Sequence, residues 1–138
     1  MTEADALLTM GEGEAGLRLH QSVLNGYEAL VRQEPGRADF LRDLSVSYNK
    51  LGDLMRDLGQ GDDAHRFFQK SLDIAEQLVR QEPGRADFQT DLVASLVRLG
   101  DQASLTRALD IVRRLESEGR LTARQAGWRQ GLEEMLNP

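Results

Sequence analysis

An eleven-residue segment occurs twice in this chain, letter for letter. The segment Leu-Val-Arg-Gln-Glu-Pro-Gly-Arg-Ala-Asp-Phe spans residues 30–40 and returns at residues 78–88, an offset of 48 residues. Matches continue on both sides, so that roughly half of all the aligned positions are identical, which is the mark of a repeated structural unit. The structure of one copy therefore determines most of the fold.

Each copy predicts a pair of antiparallel helices. Its first half has apolar residues at the three- and four-residue spacing of one helix face, namely Leu44, Tyr48, Leu51, Met55 and Leu58. Its second half continues this spacing over residues 64–79. Gly59 separates the halves and stops the first helix, because glycine tolerates positive φ. Pro35 and Pro83 end the second helix of each pair, since the residue before a proline avoids helical geometry.

Along the whole chain the pattern predicts an all-α fold. We expect a short helix within residues 2–10 and longer helices near residues 13–33, 37–58, 61–81, 85–101, 104–118 and 122–136. The length of 138 residues fits a single domain, with repeats at about 1–36, 37–84 and 85–120 and a capping helix within residues 121–138. Stacked helix pairs of this kind form an α-solenoid.

The central copy resembles the tetratricopeptide repeat family. Tyr48, Leu51, Gly52, Ala64 and Phe68 follow that family's order and spacing. Small residues at positions 52 and 64 suit a close helix crossing, and the three larger side chains fill the space around it.

The resemblance covers roughly residues 4–118 and is weaker at both ends. The last copy has a shorter hairpin, and the first copy has His20, which we interpret as a core histidine, where the aromatic is expected. The 48-residue period exceeds the family's usual value of about 34, which we attribute to longer helices. The resemblance implies a right-handed α-solenoid that binds other proteins.

Composition argues against several kinds of chemistry. The chain has no cysteine and two histidines, so we expect no cofactor and no metal centre of thiolate or imidazole ligands. Its net charge of −6 has the wrong sign for a general nucleic-acid binder. A secretory leader and an apolar stretch of about 20 residues are both missing from the sequence, so we expect a cytoplasmic protein without membrane contact.

Two local patterns are better explained by structure than by chemistry. Gly11, Gly13 and Gly16 match a dinucleotide-binding fingerprint, but no strand precedes them and their counterpart at residues 59–64 is a turn between helices. Three carboxylates near that turn lack the alternation of a calcium loop, and we interpret them as helix-capping groups: Asp57, Asp62 and Asp63.

The first helix of each pair leaves one face outside the apolar stripe, and in the resembled family this face lines a concave groove for peptides or helices. The candidate groove residues are Arg42, Val46, Asn49, Lys50, Asp53, Arg56, Ala94, Val97, Arg98 and Asp101. Partner contact is expected above all from Asn49, Asp53, Arg56, Val97 and Arg98. A solvated face without a ligand would show the same mixture of charges.

The sequence thus predicts a non-enzymatic interaction or scaffold module for a protein or peptide partner whose identity it does not reveal. The alternative is a self-associating assembly unit or a fragment of a longer array. It rests on four apolar residues of the first long helix that nothing in the repeat covers, Leu17, Val23, Leu24 and Tyr27. An enzyme is a third alternative, for which no catalytic constellation is visible.

Overall fold

The computed structural model describes the backbone of residues 3–138 and the side chains from residue 13 onward. The described part folds into helices alone. They are α1 (Glu3–Gln33), α2 (Ala38–Asp57), α3 (Gly61–Gln81), α4 (Ala86–Leu99), α5 (Gln102–Ser117) and α6 (Trp128–Leu136), with a 3-10 turn at Ala123–Gln125. The all-α fold class is confirmed. Among these helices, none has both the length and the apolar character needed to cross a membrane.

The chain divides into two compact units, the first ending at Ile74 and the second comprising Ala75–Pro138. In the first unit α1 packs against α2, and the core holds Leu24, Leu44, Tyr48 and Leu51. In the second unit α5 packs against both α4 and α6. Its buried side chains include Phe88, Leu92, Leu96, Val112 and Leu115.

The crossing of α2 and α3 is close, as the sequence predicts. A Cβ atom added at Gly52 would lie 2.5 Å from the ring of Phe68. Two turns before Gly52 on α2, the hydroxyl of Ser45 lies 2.8 Å from that of Ser71, and the Ser71 hydroxyl donates to the Ser45 carbonyl at 2.9 Å. Both serines are buried, so their hydrogen bonds satisfy groups that would otherwise destabilise the crossing.

Tyr48 joins α2 to α1. Its hydroxyl donates to Glu28 Oε2 at 3.3 Å, and its ring lies 5.8 Å from that of Phe67. Burial and the neighbouring Glu28 carboxylate raise the pKa of Tyr48 to about 12, so the hydroxyl keeps its proton at neutral pH and remains a donor.

The connectors after α1 and α3 adopt the same conformation, as their identical sequences predict. Arg37 precedes α2 with φ −77° and ψ 112°, and Arg85 precedes α4 with φ −86° and ψ 114°. Each guanidinium lies over the next phenylalanine ring, 4.0 Å from the centroid of Phe40 and 3.8 Å from that of Phe88. Each arginine also pairs with the acidic residues on either side of it.

The ion pairs of the connectors shift the pKa values of the paired groups. Hydrogen bonding to Arg37 holds the pKa of Asp39 below its ordinary value. The pKa of Arg85 is raised chiefly by its hydrogen bond to Asp87. These hydrogen bonds join Arg37 to Asp39 and Arg85 to Asp87, in the first turn of the helix that follows.

The two copies diverge at a shared Leu-Gly-Asp sequence. In α2 Gly52 lies inside the helix, whereas Gly100 adopts φ +72° and ends α4 at Leu99. Asp101 then caps α5, because its carboxylate accepts hydrogen bonds from the Ser104 amide at 3.1 Å and the Ser104 hydroxyl at 2.6 Å. The expected helix over residues 85–101 is therefore too long.

The prediction for the start of the chain is wrong in one respect. No break separates residues 3–10 from the next helix, because α1 runs from Glu3 to Gln33. Gly11, Gly13 and Gly16 are helical rather than a turn, which also removes the loop that a phosphate-binding motif requires.

The apolar side chains of α1 differ from the prediction in how far they are exposed to solvent. Leu24 is buried, and Leu17 and Tyr27 pack against the core of the first unit. Val23 stays 42% exposed, and Leu19, which the sequence did not single out, is 64% exposed. His20 is half-buried rather than a fully buried core residue.

The terminal helix is shorter than the expected range of 122–136. Thr122 begins a 3-10 turn, in which Gln125 Oε1 accepts a hydrogen bond from the Thr122 amide at 3.0 Å. The chain reorients at Ala126 and Gly127 before α6 starts at Trp128.

We expect Gly52→Ala to destabilise the protein by about 1–3 kcal/mol, because the added methyl group overlaps the Phe68 ring. The measurement is the urea denaturation midpoint followed by circular dichroism. Gly26→Ala is the matched control, since Gly26 lies in α1 with nothing within 4 Å of the added atom. That control should stabilise by about 0.5–1 kcal/mol through helix propensity. Equal midpoints for the two variants would contradict the close crossing.

Candidate functional site

The predicted groove residues of α2 differ in their exposure to solvent. Val46 and Lys50 are exposed, Arg42 is half-buried, and Asn49 is buried with 9% of its surface accessible. Asp53 pairs with Arg56 at 3.5 Å. The Arg56 guanidinium carbon lies 5.8 Å from the Phe68 ring centroid. Partner contact by these residues stays a prediction.

The predicted residues of α4 behave differently, because three of them line one pocket. Ala94, Val97 and Arg98 form one wall, and the Arg98 Nη1 group donates to the Ala94 carbonyl at 3.2 Å. This hydrogen bond runs along the helix and keeps the long side chain beside α4. Asp101 is not part of the wall, since its carboxylate caps α5.

The pocket has a volume of about 300 Å³ and lies between α4 and α6. The opposite wall consists of α6 residues together with the glycine before them: Gly127, Trp128, Gly131, Leu132 and Met135. A Cβ atom added at Gly127 or Gly131 would meet nothing within 4 Å, so the two glycines leave the pocket open. Arg98 is the one charged residue in a lining that is otherwise apolar.

Two sets of contacts hold α6 on α5. Leu132 is 4% exposed and anchors the helix through apolar burial. On the outside, Glu133 pairs with Arg113 at 3.3 Å and with Arg129 at 3.0 Å, and Arg129 also pairs with Glu116 at 2.8 Å. These ion pairs form a network rather than isolated bridges, and networks fix a helix better than single surface pairs do.

Sequence reasoning missed the α6 side of the pocket because it treated this segment only as a cap. A signal was present, since Trp128, Leu132 and Met135 follow a spacing of four and three residues along one helix face. Trp128 is also the chain's single tryptophan. Met135 is 55% exposed, although a capping helix has no need of a large apolar side chain in solvent.

The other candidate groups do not form a chemical site. No cluster of three or more potential metal ligands occurs within the described side chains. Asp62 and Asp63 lie in the first turn of α3, as their predicted capping role requires, and Asp63 pairs with Arg66 at 3.3 Å. Asp57 ends α2, 3.9 Å from the Arg56 guanidinium.

We expect Glu133→Gln to loosen α6 at neutral pH. Hydrogen bonds from Arg129 and Arg113 hold the pKa of Glu133 below its ordinary value. The ionised pair therefore stabilises the helix above the ordinary glutamate pKa, and this stabilisation is lost as the pH falls through the lower folded-state pKa. The urea midpoint reported by Trp128 fluorescence should fall in the variant at pH 7 and match the wild type at strongly acidic pH.

Glu134→Gln is the control, since the Glu134 carboxylate accepts a hydrogen bond only from an amide, Gln130 Nε2, among the hydrogen bonds described. A difference that persists in acid would exclude the ion pairs as its cause.

A comparison with known protein families found a match for the central pair of helices. Residues 44–81 match a family model described as tetratricopeptide repeat. The comparisons with curated proteins and with solved structures found no match. The matched stretch contains most of α2, the Gly59 turn and the whole of α3, and so includes the crossing of Gly52 with Phe68. It confirms the resemblance for the central copy and leaves the 48-residue period untested. Over residues 44–81 the chain is similar to the tetratricopeptide repeat family.

Proposed function

We propose that this chain is a protein-interaction module that holds a short segment of another protein in the pocket between α4 and α6. Tetratricopeptide repeats are typically interaction modules without enzymatic activity, which supports the general class. The observation that carries the specific proposal is an open apolar pocket lined by a tryptophan, a methionine and an arginine.

These three residue types are the ones that protein interfaces favour. Tryptophan and arginine dominate the energetic centres of interfaces, and methionine adapts its unbranched side chain to different partners. Met135 is mostly exposed and Trp128 is half-buried, so both present apolar surface that a partner would cover. The volume of about 300 Å³ lies at the lower end of ligand pockets and suits one or two apolar side chains.

Gly131 provides the test, because a Cβ atom added there meets nothing within 4 Å and a larger side chain can extend into the pocket. Phage-displayed random peptides of about 16 residues, selected on the purified full chain, supply the probe. Selected peptides are then synthesised, and their Kd values are measured by calorimetry. We expect Gly131→Leu to weaken binding by more than about tenfold, equal to 1.4 kcal/mol.

Gly26→Leu is the matched control, since Gly26 is also a helical glycine with open space around it. It should leave the Kd unchanged. If no peptide is enriched, or if every enriched peptide binds Gly131→Leu as well as the wild type, the pocket is not the binding site.

A second function, self-association through α1, is supported by the exposure of Leu19 and Val23. In the repeat these positions correspond to Phe67 and Ser71 of α3. Phe67 and Ser71 contact Tyr48 and Ser45 of α2, so the equivalent face of α1 has the shape of a helix-packing surface. A second copy of this chain could cover it, as in a symmetric dimer.

Sedimentation equilibrium over a wide range of protein concentration tests this second function. We expect the wild type to dimerise and Leu19→Lys to remain monomeric, because the charge would be buried in the interface. Asn25→Lys, an exposed position elsewhere on α1, should dimerise normally. A wild-type protein that is monomeric at every concentration would exclude self-association.

A further inference from the structure

Met135 differs in its surroundings from the other methionine whose side chain the structure describes. Its side chain is 55% exposed to solvent and lines the pocket between α4 and α6. Met55, by contrast, is half-buried and packs against the core of the first unit. The remaining two methionines, Met1 and Met10, lie outside the described side chains. Of the two described thioethers, that of Met135 is therefore the more accessible to a small reagent in solution.

An accessible thioether reacts with peroxides. A lone pair of the sulfur attacks one peroxide oxygen, so that an S–O bond forms as the O–O bond breaks. The sulfur loses two electrons and hydrogen peroxide is reduced to water, because the departing hydroxide takes up the proton of the transferred oxygen. The product is methionine sulfoxide, in which a polar side chain replaces a flexible apolar one, and methionine sulfoxide reductases reverse the step.

The polarity of position 135 matters because the pocket around it is largely apolar. The pocket is lined by glycines, aliphatic side chains, Trp128 and one arginine besides Met135 itself. A sulfoxide oxygen there is hydrated while the pocket is open, and it loses this water when a partner's apolar side chain enters. Such a side chain brings no hydrogen-bond donor for the oxygen, and burial of an unsatisfied polar group disfavours the bound state.

We propose that Met135 is an oxidation site that regulates the pocket, with a peroxide as the oxidant and the sulfoxide as the form that releases the bound segment. This inference rests on the proposed function of the pocket and adds its regulation. Oxidation leaves α6 in place, because Leu132, which is 4% exposed, and the ion pairs of Glu133 hold the helix on α5.

The first measurement locates the oxidation. The full chain is treated with hydrogen peroxide for a series of times, and mass spectrometry of its proteolytic fragments gives the extent of oxidation at each methionine. We expect Met135 to be oxidised several-fold faster than Met55, because its sulfur meets solvent while Met55 is packed against the core. Equal rates at the two positions would overturn the proposal.

The second measurement is binding of the selected peptides whose affinity requires an open Gly131. Peptides without methionine or cysteine are used, and the peroxide is removed before calorimetry. We expect oxidation to raise the Kd by more than about tenfold. Treatment with both methionine sulfoxide reductases, one for each sulfoxide epimer, should restore the original Kd. The circular dichroism spectrum should be the same in both states.

Met135→Leu is the matched variant, since leucine keeps an apolar side chain of similar volume but has no sulfur. The variant retains Met1, Met10 and Met55, so oxidation at those positions still acts in it. Its own Kd should be the same before and after peroxide treatment, whatever the effect of leucine on the affinity itself. A peroxide-induced loss as large as that of the wild type would place the effect at another residue and overturn the proposal.

The outcomes distinguish this inference from the proposed function on which it rests. Peptides that require an open Gly131 but bind the oxidised protein as tightly as the untreated one would overturn the oxidation site and leave the pocket as the binding site. Peptides that ignore Gly131→Leu, or a selection that enriches no peptide, would overturn both, whatever the rate of oxidation at Met135.

Discussion

Helices α2 and α3 pack closely because small residues lie where they cross. Gly52 meets the Phe68 ring, and Ser45 meets Ser71 through mutual hydrogen bonds. The rest of the first unit depends on this contact, because it sets the position of Tyr48, which in turn bonds to Glu28 of α1. Dense packing transmits such constraints, since interiors have few voids in which a misplaced ring could be accommodated.

The sequence could predict this crossing because its determinants are local and repeated. The spacing of Tyr48, Gly52 and Phe68 follows from helix geometry, and the ion pairs of the twin connectors at residues 34–40 and 82–88 each lie within seven residues. The prediction for the start of the chain failed because the glycines there are compatible with either a turn or a continuous helix. Glycines at positions 11, 13 and 16 predicted a turn, yet each costs only about 1 kcal/mol within a helix, and α1 continues through them.

The sequence predicted the α4 wall of the pocket but not the α6 wall. Ala94, Val97 and Arg98 follow from the repeat, because they lie outside the apolar stripe of α4. Their partners in α6 lie about 30 residues further along the chain, outside the repeat, and no periodicity relates the two helices. The end of α4 was also missed, although Gly100 followed by Asp101 combines a left-handed stop with a helix-capping carboxylate.

The paired connectors have a further consequence for the helices that follow them. The arginine fork of each connector bonds its neighbouring carboxylates and covers the following ring, whichever helices lie beyond. The same local contacts therefore shape both connectors, although the helices that follow them differ in length, with 20 residues in α2 and 14 in α4.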